Sequence, residues 1–172
     1  MQDNRKIAEF TVYYNLYKKR VYNFILKMTR DKTLTEDLYQ NTFMKLYENL
    51  DSIYNKDSVL YWLFSTARNQ VYVHYRGKNY KVDQFNTRDV EDLEIDSEYN
   101  LERKVENKEL RKIILDEVDK LPFEQKEVYL LKEYSDFKYK EIAEMIGIDE
   151  SLVKSRLFKA RQKLIKQIAK YV

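Results

Sequence analysis

The sequence predicts an all-α protein with two small helical domains, a flexible linker between them, and a helix-turn-helix in the C-terminal domain. Apolar residues recur every three or four positions over long stretches, which is the period of a helix with one buried face. The 172 residues include only two glycines and one proline, too few for the tight turns of a sheet protein. The apolar period is lost only in an acidic segment near 79–104, so we expect the linker there.

Three helices are expected in the first domain, which we place at 1–78. The first helix is predicted at 7–28, and a second and third follow on either side of a polar loop at 51–57. Three amphipathic helices can enclose one small core. The residues predicted to be buried on the second and third helices are Leu38, Thr42, Phe43, Leu46, Leu50, Leu60, Leu63, Phe64, Ala67 and Val71. Trp62 is also expected in this core.

The starts of these helices are predicted from side chains that can accept backbone N–H groups. Thr33 or Thr35 could cap the second helix, and Ser58 the third. Glu36 and Asp37 then fall in the first turn of the second helix, where the helix dipole favours carboxylates.

Charge is distributed unevenly along the chain. The net charge is +6 over 1–82, −7 over 83–102 and +4 over 103–172. Two basic blocks flank an acidic one, which indicates two nucleic-acid-facing units and a tether. We therefore place the acidic flexible linker at 79–104 and the second domain at 105–172.

The second domain is expected to contain helices from about 102 to 118 and after Pro122, followed by a helix-turn-helix at 139–164. There, Gly147 ends a short helix, and Asp149 is a suitable N-cap for a longer one. The predicted buried stripes are Tyr139, Ile142, Ala143 and Ile146 on the first helix, and Val153, Leu157, Ala160, Leu164 and Ile168 on the second.

The longer helix has the composition of a DNA-reading helix. From residue 150 to 172 there are seven Lys or Arg and one acid, Glu150. Cations suit guanine edges and phosphates, and an apolar group suits a thymine methyl, so we predict that this face enters a major groove. The residues on the exposed face are Ser151, Lys154, Ser155, Phe158 and Lys159.

Several other functions are excluded or disfavoured by composition. The chain has no cysteine and one histidine, His74, which excludes disulfides, thiolate metal sites and histidine clusters. No apolar run is long enough for a membrane span. The absence of a phosphate-binding glycine loop and of an acid–base pair in an apolar setting argues against an enzyme, and no cofactor is expected.

Two stretches together resemble bacterial sigma factors of the extracytoplasmic-function (ECF) type. The run LPFEQKEVYLLKEYSDFKYKEIAEMIGIDESLVKSRLFKARQKL resembles the C-terminal DNA-binding domain of that family. YYNLYKKRVYNFILKMTRDKTLTEDLYQNTFMKLYENL, followed by YWLFSTARN, resembles its first conserved domain. One departure lies at Lys138, where the family has a capping Ser or Thr, so Ser135 or Asp136 could cap instead.

The resemblance assigns expected roles to particular residues. Asp37, Gln40 and Asn41 would bind core RNA polymerase, although the family usually has an acid at the position of Asn41. The melted minus-ten element would be read by Tyr54, Asn55, Asp57 and Asn69, with Arg68 and Arg76 near the phosphates. The minus-thirty-five duplex would be read by the exposed face of the longer helix. Arg156 and Arg161 would hold phosphates or pair within the domain.

The resemblance thus implies a cytoplasmic sigma factor with core RNA polymerase and promoter DNA as partners. The family also suggests an anti-sigma factor, soluble or membrane-bound, whereas direct membrane insertion is not expected. The rival hypothesis is a conventional helix-turn-helix regulator whose N-terminal bundle binds a ligand or dimerises. That regulator would bind a palindrome alone, whereas a sigma factor would recognise two dissimilar elements with polymerase.

Overall fold

The computed structural model describes residues 1–77 and 107–171, and these residues form helices and turns without a strand. Contacts divide the chain into two compact units, Met1–Asp83 and Gln84–Val172. The all-α prediction is confirmed for the described residues. The linker predicted at 79–104 lies outside them. No helix in the described parts of the chain is both long enough and apolar enough to cross a membrane.

The first unit consists of α1 (Gln2–Thr29), α2 (Lys32–Asn49) and α3 (Val59–Gly77), each packed against the other two. Helix α1 begins five residues before the predicted start, with Asp3 in the first turn, where the helix dipole favours an acid. The side chains buried between the three helices include Val21, Phe24, Ile25, Met28, Leu38, Phe43, Leu46, Leu63, Phe64, Ala67 and Val71.

The N-cap prediction for α2 was wrong. Asp31 caps this helix, since its Oδ1 accepts the N–H of Leu34 at 3.0 Å. Thr35 is instead fully buried, and its hydroxyl lies 2.7 Å from that of Thr29, which satisfies both groups inside the core. Because the helix begins at Lys32, Glu36 and Asp37 lie beyond its first turn.

The loop before α3 contains two 3₁₀ turns, Leu50–Ser52 and Lys56–Ser58. The Ser58 hydroxyl donates to the carbonyl of Asn55 at 2.6 Å, which closes the turn instead of capping α3 as predicted. On α3 itself, Val59 is buried whereas Leu60 and Trp62 are only half-buried, so the buried stripe starts one residue earlier than predicted.

The second unit consists of α4 (Lys108–Asp119), α5 (Phe123–Tyr129), a π-helical turn (Leu130–Tyr134), α6 (Tyr139–Ile146) and α7 (Glu150–Ile168). Helix α7 packs against α4, α5 and α6, so it is the common element of this unit. Its predicted buried stripe is confirmed at all five positions: Val153, Leu157, Ala160, Leu164 and Ile168.

The predicted helix-turn-helix is present as α6 and α7. Gly147 ends α6 with φ 72°, a left-handed conformation that glycine adopts without the cost a Cβ would bring. Asp149 is the N-cap residue of α7, as predicted, but its carboxylate makes no capping hydrogen bond within the described residues.

Lys138 is itself the N-cap residue of α6, so the prediction that Ser135 or Asp136 caps this helix was wrong. The Glu141 carboxylate accepts the backbone N–H of Lys138 at 3.0 Å, which is the reciprocal half of a capping box and does not need an acceptor at position 138. Ser135 is buried and donates to the Leu130 carbonyl, and Asp136 adopts a left-handed φ of 58° in the turn.

Candidate nucleic-acid and partner-binding surfaces

The outward face of α7 contains the side chains expected to read a duplex. Ser151 and Lys154 are exposed, and Ser155, Phe158 and Lys159 are half-buried at the edge of the same face. They lie opposite the stripe from Val153 to Ile168, which anchors the helix in its unit. This arrangement leaves short polar, cationic and aromatic groups accessible on one helix, the chemistry of major-groove recognition.

Lys154 lies beside an aromatic ring at the start of α6. Its ammonium is 5.4 Å from the ring centroid of Tyr139, and the ammonium of Lys132 is 4.5 Å from the same centroid. Both distances allow cation–π attraction. The first helix of the motif therefore supports a lysine that the second helix presents to solvent.

Two arginines of the predicted set are buried instead of lying on the surface. Arg161 is 5% exposed and forms an ion pair with Glu133, itself 6% exposed, in the π-helical turn. Of the two roles expected for Arg161, the structure places it in a pair within the domain. Arg156 is 8% exposed and lies close enough to Glu124 to act on its ionisation.

Glu124 lies on α5, near Arg156 and Lys163 of α7. Burial raises the pKa of its carboxyl above the ordinary value, and the repulsion of Glu127 adds to this, while Arg156 and Lys163 act in the opposite direction. Desolvation therefore outweighs the attraction of the nearby cations. The ionised carboxylate of Glu124 therefore destabilises the folded unit.

Three residues predicted to read melted DNA are at the tip of the loop between α2 and α3. Tyr54 is 93% exposed, and Asn55 and Asp57 are also exposed. Asn55 Oδ1 accepts the N–H of Asp57 at 3.1 Å, so this side chain stabilises the turn that carries it. A free aromatic face on a structured loop can stack on an unpaired base.

The residues predicted on α3 do not share one environment. Arg68 is 8% exposed, its guanidinium lies 4.6 Å from the Tyr72 ring centroid, and its Nη1 donates to Asn69 Oδ1 at 3.4 Å. Asn69 and Arg76 are exposed. Arg68 is therefore placed to orient Asn69 rather than to meet a phosphate at the surface.

Asn69 also borders a groove of about 530 Å³ between α2 and α3. Of the four residues expected to read the melted element, only Asn69 lines this groove, because Tyr54, Asn55 and Asp57 lie outside it. The residues that line it are Leu38, Lys45, Trp62, Thr66, Asn69, Gln70, Val73 and His74. Trp62, expected in the core, is thus available at a surface.

The predicted polymerase-binding residues share the solvent side of α2. Asp37, Gln40 and Asn41 are exposed, while Leu38 between them is buried. Gln40 also borders a neighbouring groove of about 550 Å³ on α1 and α2. Its other lining residues are Phe10, Tyr14, Tyr39, Phe43, Met44, Tyr47 and Glu48.

This aromatic groove is held together by ring contacts. The Tyr14 and Phe43 rings are 5.0 Å apart, and the Tyr39 and Phe43 rings 5.1 Å apart, in edge-to-face arrangements. Burial and a hydrogen bond with Tyr14 raise the pKa of Tyr39, so its phenol stays protonated. The groove beside Gln40 is therefore lined by packed aromatic rings, among them the uncharged phenol of Tyr39.

Sequence reasoning missed a set of ion pairs that connects α1 with the loop after α2. Lys56 Nζ lies 3.0 Å from Glu9 Oε1, and Lys6 Nζ lies 3.1 Å from Asp51 Oδ2. The Lys6 ammonium also lies 4.7 Å from the Tyr47 ring centroid. No local motif marks such pairs, because the partners are more than forty residues apart in the chain.

Two known protein families match this chain, one in each unit. The family Sigma-70 region 2 matches residues 13–80, and Sigma-70, region 4, matches residues 111–164. Among curated proteins, the chain is similar to the ECF RNA polymerase sigma factor SigM of Bacillus subtilis (strain 168). The two are 35% identical over 151 residues, which cover 88% of this chain and 90% of SigM. The RNA polymerase sigma factor YlaC of the same strain is 28% identical over 160 residues, covering 91% and 90% of the two chains.

A solved structure has the same fold. It is the sigma factor RpoE of Bartonella quintana, crystallised in complex with the anti-sigma factor NepR, and it matches with a TM-score of 0.69 at 24% identity. The match covers 94% of this chain and 97% of the RpoE chain.

Proposed function

This chain belongs to the ECF-type sigma factors of bacterial RNA polymerase, and we propose that it binds core polymerase with residues 1–78 and reads promoter DNA with both of its units. A sigma factor is a transcription initiation factor rather than an enzyme. The observation that best supports the assignment is that both family regions match this chain in order, and that SigM is similar to it over most of both chains.

The proposed polymerase contact is the exposed face formed by Asp37, Gln40 and Asn41 on α2. The adjacent aromatic groove supplies apolar area beside these polar groups, and interfaces commonly combine an apolar centre with a polar rim. Leu38, which lies between these positions in the sequence and is buried, anchors this part of α2 in the core.

For the minus-ten element, we propose that the exposed ring of Tyr54 stacks on an unpaired base of the melted strand. Asn55, Asp57 and Asn69 offer amide and carboxylate groups to base edges, and Arg76 offers a cation to phosphate. Arg68 supports this surface through its contact with Asn69.

For the minus-thirty-five element, we propose that residues 105–172 place α7 in the major groove. Ser151, Lys154, Ser155, Phe158 and Lys159 would meet the DNA, while Arg156 and Arg161 hold the helix in its unit. Joining two weakly binding units in one chain makes the second contact nearly intramolecular, and this raises the overall affinity for a promoter with both elements.

The proposed partners are core RNA polymerase, promoter DNA and an anti-sigma factor that would cover these same surfaces. Polymerase and promoter are both cytoplasmic, so we place the protein in the cytoplasm. A lone palindrome-binding regulator is not favoured, because both conserved sigma regions are matched in one chain.

Selection from a randomised duplex pool distinguishes the two functions. The chain alone, core polymerase alone and their mixture are each used to retain DNA in a mobility-shift experiment. We expect enrichment only with the mixture, and the enriched DNA should contain two dissimilar elements at constant spacing. Enrichment of a palindrome by the chain alone would establish the regulator instead.

A further inference from the structure

The loop between α2 and α3 is anchored at both ends and exposed at its tip. Leu50, Ile53 and Val59 are buried, whereas Tyr54 and Asn55 face solvent. Internal hydrogen bonds also shape it, since the Ser52 hydroxyl donates to the Asn49 carbonyl at 2.7 Å. These contacts shape the ends of the loop, but none of them is made by the exposed side chain of Tyr54.

Lys56 connects this loop to two separate helices. Its ammonium donates to the Leu50 carbonyl at 2.8 Å and lies 3.0 Å from the Glu9 carboxylate of α1. Leu50 is the C-cap residue of α2, where unpaired carbonyls and the helix dipole favour a cation. One side chain thus ties the end of α2, the loop and α1 together.

A second pair strengthens the same connection. Lys6 of α1 pairs with Asp51 at the start of the loop at 3.1 Å and lies over the Tyr47 ring. The loop is therefore tied to the first turns of α1 at Asp51 and again at Lys56. Tyr54 and Asn55 lie between the two ties.

We propose that Lys56 is a positioning residue for minus-ten recognition, with Glu9 as its anchor. Lys56 holds the loop in the shape that presents Tyr54 and Asn55 to unpaired bases, and it does not itself bind the DNA backbone. A loop already held in its binding shape loses less conformational freedom on binding, so it binds more tightly. This inference rests on the proposed sigma function.

The direction in which one substitution changes DNA affinity distinguishes a positioning role for Lys56 from a phosphate contact. Glu9→Gln keeps the size of the side chain and removes its charge. If Lys56 bound phosphate, this change would free its ammonium, and single-stranded DNA would bind equally well or more tightly. If Lys56 positions the loop, the same change loosens the loop, and binding weakens.

The experiment uses holoenzyme assembled from core polymerase and the full chain. The probe is a fluorescent non-template oligonucleotide whose minus-ten bases were selected by wild-type holoenzyme from a randomised pool. We expect Glu9→Gln to raise the Kd about 2- to 5-fold, the effect of losing a partly exposed ion pair. Lys56→Met should raise it about tenfold, because a charged hydrogen bond to Leu50 is lost as well.

Three comparisons make the test specific. The double variant Glu9→Gln with Lys56→Met should bind no worse than Lys56→Met alone, because both changes remove one shared contact. Lys56→Arg should remain near wild type. Lys19→Met removes a charge from an exposed site on α1, the helix that carries Glu9. It should leave base preference unchanged and raise the Kd only by the small amount expected when any one cation is lost.

Base preference and core affinity are measured in parallel for every variant. Positioning predicts a weaker preference at the minus-ten bases with unchanged affinity for core polymerase and an unchanged salt slope. Unchanged or tighter DNA binding by Glu9→Gln would overturn the proposal. So would a Lys56→Met salt slope that is smaller by about one, which indicates a lost phosphate contact.

Two further outcomes are also decisive. If Glu9→Gln lowers the thermal stability of the chain, Lys56→Arg decides, since positioning requires it to retain base preference and a lost preference would contradict it. If wild-type holoenzyme selects no minus-ten sequence at all, the sigma function itself has failed, independently of the role of Lys56.

Discussion

Arg161 of α7 and Glu133 of the π-helical turn form an ion pair in the interior of the second unit. The two residues are 28 positions apart, and the pair joins the DNA-facing helix to the segment that precedes the helix-turn-helix. A charge in this position is stable only while its partner remains, because burial removes the water that would otherwise solvate it. The pair therefore holds α7 in its orientation.

We expect Arg161→Ala to destabilise the second unit by about 3–5 kcal/mol, since it removes the guanidinium that offsets the burial of the Glu133 carboxylate. The double variant Arg161→Met with Glu133→Leu should recover most of this loss. The measurement is urea unfolding of the full chain. Gln162→Ala, at an exposed site on the same helix, is the control and should change the free energy of unfolding little. A stable Arg161→Ala variant that loses only DNA affinity would contradict the structural role.

The raised pKa of Glu124 predicts a pH-dependent stability. In the folded unit the ionised carboxylate is disfavoured by burial, so its destabilising effect is present above the raised pKa. The effect disappears as pH falls through that pKa and towards the ordinary value of 4.5.

Glu124→Gln should therefore be more stable than wild type at pH 7, and the difference should shrink as the pH approaches 4. Comparing the two proteins at each pH cancels the contribution of the other carboxylates. Thermal melts across this range provide the measurement. A difference that stays constant with pH would show that Glu124 does not titrate in this way.

The exposed face of α7 predicts how promoter preference changes. We expect Ser155→Ala and Phe158→Ala each to cost about 1–3 kcal/mol at one base pair and to relax the preference there, as lost base-edge contacts do. Lys166→Ala, which removes a cation from an exposed site nearer the end of α7, should leave the preference unchanged. Holoenzyme binding across a randomised upstream element measures both effects. Retention of wild-type preference by the Ser155 and Phe158 variants would mean that another face enters the groove.

The face on α2 predicts loss of polymerase binding without loss of fold. Asp37 and Gln40 are three residues apart and both exposed. Replacing both with Arg should abolish retention by core polymerase while circular dichroism stays unchanged, because neither side chain is part of the core. Lys32→Glu, a charge reversal at an exposed site at the start of the same helix, is the control. Normal retention of the double variant would show that polymerase binds elsewhere.

The apolar pattern predicted which faces of the helices are buried. The stripe from Val153 to Ile168 is buried at every predicted position because it has the period of a helix. Gly147 ended α6 as predicted, since few other residues adopt a positive φ at low cost. Patterns of this kind depend only on neighbours along the chain.

Helix caps were harder to predict because several nearby side chains compete for the same N–H groups. Thr35 was as suitable a cap as Asp31, but its contact with Thr29 places it in the core. Lys138 is an unsuitable cap by residue type, and Glu141 compensates from the third position of α6.

Ion pairs between residues that are far apart in the chain cannot be predicted from the sequence pattern. Arg161 was read as a phosphate contact or an internal partner, and only the position of Glu133 decides between them. The link from Lys56 to Glu9 was not predicted at all, because it depends on how α1 packs beside the loop. Such contacts require the fold to be known first.

The central claim is tested most directly by run-off transcription with purified core polymerase and this chain. The template carries the upstream and downstream elements enriched by the holoenzyme. We predict a transcript of defined length that requires the chain and disappears when either element is scrambled. A chain that binds DNA alone but yields no transcript above that of core polymerase would contradict the account.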